Sequence, residues 1–108
     1  MTKEFEMRPA KDYIIFPLDV ASPEEAKKYI RLLADRVGLF KVGLELFTKA
    51  GPEIITFIRA ATDAQIFLDL KLHDIPVTVE RATAVIAEMG VDLVTVHCAD
   101  SRKMLAAA

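Results

Sequence analysis

The chain has 108 residues, the length of one ordinary domain, and 53% of them are hydrophobic, which is enough to build a core and excludes intrinsic disorder as the main interpretation. Fourteen basic and sixteen acidic residues give a formal net charge of −2. The two signs are interspersed and form no basic stripe that could follow a phosphate backbone, so we expect no nucleic-acid partner.

The N-terminal segment MTKEFEMRPAKDY mixes charges of both signs and lacks the apolar stretch of a secretory signal. No apolar run approaches the roughly 20 residues that would span a bilayer, so we expect no membrane partner. The single cysteine, Cys98, has no second cysteine for an internal disulfide, and a lone thiol is typical of reducing compartments. We therefore expect a cytoplasmic protein in which Cys98 is a small apolar filler.

Four short apolar runs follow one another along the chain, separated by segments with helical spacing, which predicts alternating strands and helices. The runs are YIIFPLD at 13–19, LFKVGL at 39–44, QIFLDLKL at 65–72 and DLVTVHC at 92–98. Strands joined by helical crossovers are parallel. The sequence therefore predicts a parallel sheet covered by helices.

Helix start and stop signals lie between the runs. Ser22, Pro23 and Glu25 fit a capping box, which predicts a helix from Pro23 to about Arg36. Its buried face should comprise Ala26, Tyr29, Ile30 and Leu33. A short turn is predicted at 44–49, and a second helix follows Gly51-Pro52 through Ile54, Ile55 and Ile58. A third helix should run from Pro76 to a C-cap at Gly90, with Val79, Ala82, Val85 and Ile86 on its apolar face. Ser101 is the predicted N-cap of a fourth helix.

This order of elements fits either a small doubly wound sheet or half of a (β/α)8 barrel, which typically has about 250 residues. The patterns G-x-G-x-x-G and G-x-x-x-x-G-K, which bind nucleotides in open sheets, are absent. Their absence favours the barrel. The predicted fold class is α/β of the (β/α)8 TIM-barrel type, with residues 1–108 forming the first four βα units, the truncated N-terminal half of one barrel domain.

The third run differs from an ordinary buried parallel strand, which should be apolar on both faces. Alternation places Ile66, Leu68, Leu70 and Leu72 on one face, and Phe67, Asp69, Lys71 and His73 on the other. In a barrel the second face is the interior. The opposite charges of Asp69 and Lys71 would then lie near the C-terminal end of a strand, where barrel enzymes keep their catalytic residues.

Neighbouring runs add further charges at the same end. Asp19 ends the first run, Lys41 lies in the second, and Asp74 follows the third. A preorganised array of alternating charges can stabilise one charge distribution of a bound ligand over another. Each residue has a structural alternative, as an ion pair or a capping residue, but their clustering on consecutive strand ends favours a functional site.

The segment FLDLKLHDIPVTV at 67–79 resembles the D-x-K-x-x-D-I-P-x-T signature of orotidine 5′-monophosphate decarboxylases, and KVGLELF and PLDV resemble strands 2 and 1 of that family. The resemblance extends from about Tyr13 to Cys98. A sister group, the 3-keto-L-gulonate 6-phosphate decarboxylases and hexulose phosphate synthases, shares Asp-x-Lys-x-x-Asp on the same fold. That group has a glutamate and magnesium where this chain has Lys41, and it lacks the continuation Ile75-Pro76-Val77-Thr78, so Lys41 favours the metal-free nucleotide decarboxylase.

The resemblance implies a role for each charged residue. Asp19 and Lys41 would bind the ribose hydroxyls of orotidine 5′-monophosphate, and Lys41 would also orient Asp69. Asp69 would lie against the C6 carboxylate. Lys71 would stabilise the carbanion left at C6 by the loss of carbon dioxide and then protonate it, giving uridine 5′-monophosphate in de novo pyrimidine biosynthesis. No cofactor and no metal are implied.

In the family, Asp74, Ile75 and Thr78 reach across a dimer interface into the neighbouring site, with Asp74 on the ribose, which implies a homodimer with shared active sites. The family binds the pyrimidine and the phosphate largely through loops of the second half of the barrel. We therefore expect this chain to be inactive alone, whether it is an excerpt, a complemented fragment or a self-associating half barrel. The alternatives are a non-enzymatic half-barrel assembly module and an activity like that of the sister group.

Overall fold

The computed structural model describes residues 7–99 and 101–108. Its strands are β1 (Ile15–Pro17), β2 (Leu39–Gly43), β3 (Gln65–Leu72) and β4 (Leu93–Val96). Its helices are α1 (Pro23–Leu33), α2 (Leu44–Ala50), α3 (Glu53–Ala61), α4 (Pro76–Glu88) and α5 (Arg102–Ala107), and a 3-10 helix at Ala10–Tyr13 precedes β1. Each predicted strand and helix is confirmed, and the short turn predicted at 44–49 is the helix α2.

The four strands form one parallel sheet in the order β1-β2-β3-β4. A doubly wound sheet reverses its strand order at a switch point, whereas this sheet follows the chain without a reversal. The order therefore resolves the alternative left by the sequence in favour of four consecutive βα units of a (β/α)8 barrel.

The core lies on one face of this sheet, beneath the helices. Fully buried side chains come from α1 (Ala26 and Ile30), from α3 (Ile54, Ile55 and Ile58) and from the sheet (Phe40, Val42, Ile66 and Leu68). Tyr29 and Leu33 pack against this cluster, as predicted for the apolar face of α1. Because the helices cover this face, the alternate residues of β2 and β3 face the opposite side, which is the barrel interior.

Local signals explain where the helices begin. The Ser22 side chain accepts a hydrogen bond from the Glu25 N–H at 3.2 Å, and Ser101 accepts one from the Met104 N–H at 3.1 Å. Both N-cap predictions are confirmed. The end of α1 was predicted too late, because the helix stops at Leu33 rather than near Arg36. The Arg36 N–H donates to the Leu33 carbonyl, three residues back, so the last turn tightens and the chain enters β2.

Two predictions of burial were wrong. Val85 was assigned to the apolar face of α4, but it is 51% exposed while its neighbour Ile86 is 7% exposed. Successive helical residues point about 100° apart, and in α4 it is Ile86 rather than Val85 that faces the core. Cys98, expected as an apolar filler, is exposed in the loop after β4.

Within the described residues, no helix is long and apolar enough to cross a membrane.

Candidate active site

The interior face of β2 and β3 carries a chain of ion pairs with alternating sign. Lys41 Nζ lies 3.7 Å from Asp19 Oδ1 and 3.5 Å from Asp69 Oδ2. Lys71 Nζ lies 3.0 Å from the same Asp69 Oδ2. The structure therefore brings together Asp19, Lys41, Asp69 and Lys71, which the sequence analysis selected from three separate strand ends. We call these four residues the charged array.

The array is graded in exposure. The Asp69 and Lys41 side chains are 12% and 24% exposed, whereas those of Asp19 and Lys71 are 66% and 63% exposed. Water screens the outer charges and leaves the inner pair in a less polar environment. Asp69 is therefore the central anion of the array, and the Lys71 ammonium remains accessible to a ligand at the open end of the sheet.

The backbone of β3 departs from regular strand geometry at Lys71, where φ is +53°. Among the described residues, Lys71 is the one non-glycine residue with a positive φ, a conformation that costs roughly 1 to 2 kcal/mol for a side-chain-bearing residue. The simple alternation predicted for 66–73 therefore ends before Lys71. Leu70 and Leu72 are only partly buried, unlike Ile66 and Leu68.

The irregularity coincides with a bulge between β3 and β4. Leu68 pairs with Val94 and Leu72 pairs with Val96, so three residues of β3 lie opposite the single residue Thr95. Bulges redirect side chains and are frequent next to active sites. In this sheet the bulge includes Lys71, whose ammonium contacts Asp69.

Thr95 belongs to the site, although the sequence analysis did not select it. Its hydroxyl donates to Asp69 Oδ1 at 2.7 Å and accepts a hydrogen bond from the Lys71 backbone N–H at 2.9 Å. A signal was present, since Thr95 is the polar member of the apolar run LVTV. The strand pairing assigns the face of the sheet on which Thr95 lies. Phe67 pairs with Leu93, and Thr95, two residues after Leu93, lies on the same face as Leu93.

These contacts lower the pKa of the Asp69 carboxyl below its ordinary value. The largest cause is the hydrogen bond from Thr95, followed by the hydrogen bond from Lys71. Burial of the carboxylate acts in the opposite direction, and the Lys71 charge and the Lys41 hydrogen bond lower the pKa further. Asp69 is therefore ionised at neutral pH despite its low exposure.

The remaining candidate residues lie beside the array rather than in it. Asp74, Ile75 and Thr78 are exposed at the start of α4, and Asp74 Oδ1 accepts a hydrogen bond from the Ile75 N–H at 2.7 Å. Among the described residues, the ion pairs of the array do not include Asp74. At the same end of the sheet, the rings of His73 and His97 lie 4.9 Å apart, centroid to centroid.

Comparison with known proteins gives a consistent result. Residues 12–108 match a family model described as the orotidine 5′-phosphate decarboxylase / HUMPS family. An orotidine 5′-phosphate decarboxylase of Desulfosudis oleivorans is 54% identical over 107 residues, which are 98% of this chain and 43% of the relative.

Two solved structures of orotidine 5′-phosphate decarboxylases superpose on 87% of the chain, each with a TM-score of 0.80. The enzyme from Pyrococcus horikoshii OT3 is 33% identical and 46% covered. The enzyme from Methanocaldococcus jannaschii, solved with the inhibitor BMP, is 29% identical and 44% covered. The chain thus spans less than half the length of each of these relatives.

Proposed function

The chain belongs to the orotidine 5′-phosphate decarboxylase / HUMPS family, and from this premise we propose that it provides the charged half of an active site that converts orotidine 5′-monophosphate to uridine 5′-monophosphate. In this proposal, residues 1–108 are the N-terminal half of a (β/α)8 barrel, and the second half completes the site. The activity belongs to de novo pyrimidine biosynthesis in the cytoplasm.

The observation that supports this proposal is the position of Lys41 between two carboxylates. Its ammonium lies within 3.7 Å of both Asp19 and Asp69, so it compensates two negative charges at once. A glutamate at this position, as in the sister group, would bring a third carboxylate into the cluster and would require another cation. The lysine therefore favours the nucleotide decarboxylase over an activity like that of 3-keto-L-gulonate 6-phosphate decarboxylase.

The proposed chemistry uses Asp69 and Lys71. The ionised Asp69 lies next to the C6 carboxylate of the substrate, and the Lys71 ammonium, in contact with Asp69, lies close to C6. When the C6–carboxylate bond breaks, carbon dioxide leaves and the electron pair stays on C6. The Lys71 ammonium stabilises this charge and then transfers a proton to C6. These steps require no cofactor.

The remaining site residues bind the rest of the nucleotide in this proposal. Asp19 and Lys41 bind the ribose hydroxyls. Asp74, Ile75 and Thr78 contact the site of a second protomer, with Asp74 on its ribose, in a homodimer with shared active sites. Their exposure at the start of α4 supports this assignment, since Ile75 is 61% exposed and is free to enter an interface.

The second half of the barrel is needed for turnover. Binding energy from remote parts of a substrate, such as its phosphate, helps to organise the reacting centre. The relatives provide more than half of their length beyond the matched segment. A chain without that segment should therefore lose rate as well as affinity.

The test is release of carbon dioxide from orotidine 5′-monophosphate by four samples. These are the chain alone, the chain fused to the remaining segment of its 54%-identical relative, and that fusion carrying Lys71→Ala or Lys28→Ala. Lys28 is an exposed lysine on α1 and serves as the matched control. We expect activity in the unaltered fusion and in the Lys28→Ala fusion, and loss of activity with Lys71→Ala.

A folded fusion that releases no carbon dioxide would contradict the proposal and favour a half barrel that serves only in assembly. Repeating the assay after exhaustive chelation separates the two enzymatic alternatives. Activity that survives chelation supports the metal-free decarboxylase, whereas activity that depends on added magnesium supports the sister group.

A further inference from the structure

The Thr95 hydroxyl is hydrogen-bonded both to the Asp69 carboxylate and to the Lys71 backbone N–H. Building on the proposed function, we propose that Thr95 is a positioning residue, whose hydroxyl ties the Asp69 carboxylate to the Lys71 backbone and so fixes the direction of the Lys71 ammonium. Nothing in the D-x-K-x-x-D-I-P-x-T signature includes this residue, because it lies on the next strand. The inference depends on three features of the geometry.

The first feature is the direction of the Thr95 hydroxyl proton. The Lys71 backbone N–H can only donate, so the Thr95 oxygen accepts its hydrogen bond. The hydroxyl proton is then available to Asp69 Oδ1, 2.7 Å away. An ionised carboxylate accepts this proton, whereas a carboxyl protonated on Oδ1 would bring two donors together. Thr95 therefore favours the charged form of Asp69.

The second feature is that the two carboxylate oxygens of Asp69 have different partners. Thr95 holds Oδ1, which leaves Oδ2 for Lys71 at 3.0 Å and for Lys41 at 3.5 Å. Without the Thr95 hydrogen bond, the carboxylate could rotate about its Cβ–Cγ bond. Rotation would move Oδ2 away from both lysines. The hydroxyl thus sets the orientation in which one oxygen contacts both cations.

The third feature is the left-handed backbone at Lys71. At the bulge, the Lys71 N–H donates to the Thr95 side chain, which satisfies a donor that regular pairing of the strands would otherwise engage. An extended Lys71 would lie roughly 6.6 Å along the strand from Asp69, as alternate strand residues do. The hydrogen bond therefore stabilises the backbone conformation in which the Lys71 ammonium contacts Asp69.

The test compares Thr95→Val, which removes the hydroxyl at nearly constant shape, with Thr95→Ser, which keeps it. Thr83→Val is the matched control, because the Thr83 hydroxyl is buried on α4 and has no hydrogen-bond partner among the described residues. In each 108-residue chain, NMR follows the titration of the Asp69 side-chain carboxyl carbon and the hydrogen exchange of the Lys71 amide.

We expect Thr95→Val to raise the pKa of Asp69 towards its ordinary value and to accelerate exchange at the Lys71 amide. Thr95→Ser and Thr83→Val should leave both unchanged. An unchanged Asp69 titration in Thr95→Val would overturn the inference, as would a serine variant that behaves like the valine variant. If Thr95→Val does not fold, hydrogen exchange in the unaltered chain still tests the inference. Rapid exchange of the Lys71 amide in that chain would contradict its hydrogen bond to Thr95.

The same substitutions in the completed barrel test the consequence for catalysis. Losing a hydrogen bond to a charged group should lower kcat by roughly tenfold to a hundredfold. KM should change little, since Thr95 does not itself contact the substrate in this proposal, and serine should recover most of kcat. A higher KM with an unchanged kcat in Thr95→Val would overturn the positioning role. If the unaltered barrel releases no carbon dioxide, the proposed function fails, whereas the NMR experiments still decide the role of Thr95.

Discussion

The Nζ atom of Lys71 lies 3.0 Å from Oδ2 of Asp69, although the two residues are separated by a single residue within one strand. In a regular strand, alternate side chains project side by side, roughly 6.6 Å apart at their bases. In this sheet the pair lies where the Lys71 backbone is left-handed and where the bulge opposite Thr95 interrupts regular strand pairing. The close pair therefore lies at a distorted point of the strand, next to β4.

Lys71→Arg should strongly reduce turnover in the completed barrel while keeping a positive charge beside Asp69. An arginine can pair with the carboxylate, but it does not release a proton near neutral pH. Loss of a general acid lowers kcat by roughly 10²- to 10⁴-fold. The measurement is the rate of carbon dioxide release, with Lys28→Arg on α1 as the control. Retention of full activity by Lys71→Arg would show that the proton comes from elsewhere.

Asp69→Asn should change how the stability of the chain depends on pH. The pKa of Asp69 is lowered by folding, so the ionised carboxylate stabilises the folded state at pH values above 3.8, the ordinary pKa of the group. This contribution is lost as the pH falls from there through the lower folded-state pKa. Asparagine has no charge to lose, so the unfolding free energy of Asp69→Asn, measured with urea, should fall less steeply at acidic pH than that of the unaltered chain.

The control for that experiment is Asp35→Asn, which removes an exposed carboxylate outside the array. Its unfolding free energy should follow the same pH dependence as the unaltered chain. Identical acid limbs for the unaltered chain and Asp69→Asn would contradict the assignment of Asp69 as the central anion of the array.

Ile86→Ala and Val85→Ala should differ strongly in stability, although the residues are adjacent on α4. Ile86 is 7% exposed and Val85 is 51% exposed. Truncating a buried isoleucine typically costs about 2 to 5 kcal/mol, whereas exposed substitutions usually change stability by less than about 0.5 kcal/mol. Chemical denaturation measures both values. Equal losses would mean that α4 is rotated relative to its described orientation.

Gly38→Ala should destabilise the start of β2. A Cβ atom there would lie 2.7 Å from the Asp12 Cα and 2.8 Å from the Lys11 carbonyl oxygen. These are backbone atoms and cannot rotate away, so the 3-10 helix before β1 must shift, at a cost of roughly 1 to 3 kcal/mol. The measurement is the thermal or chemical unfolding midpoint.

Gly43→Ala is the matched control for that substitution, at the other end of β2. Its added Cβ would meet only a side-chain oxygen of Asp19, at 3.4 Å, which can move. We expect near-normal stability for Gly43→Ala. A comparable loss of stability in both variants would mean that alanine is unfavourable at either end of β2, and that the close approach of the 3-10 helix to Gly38 is not the cause.

The sequence by itself determined the features that depend on local spacing. Alternating apolar runs predicted the parallel βα units, and Ser22 and Ser101 predicted helix starts, because these signals act within one or a few turns of the chain. The period of two along 65–72 also predicted that Asp69 faces the barrel interior. The residues of the charged array could therefore be selected before their distances were known.

Only the tertiary structure decided the contacts that depend on strand register. Thr95 is separated from Asp69 by 26 positions in sequence and from Lys71 by 24, and the pairing of β3 with β4 shifts at this point. A change of register by one residue would turn Thr95 to the other face of the sheet. The positive φ of Lys71 and the exposure of Val85 are also set by what each residue packs against, which no local pattern records.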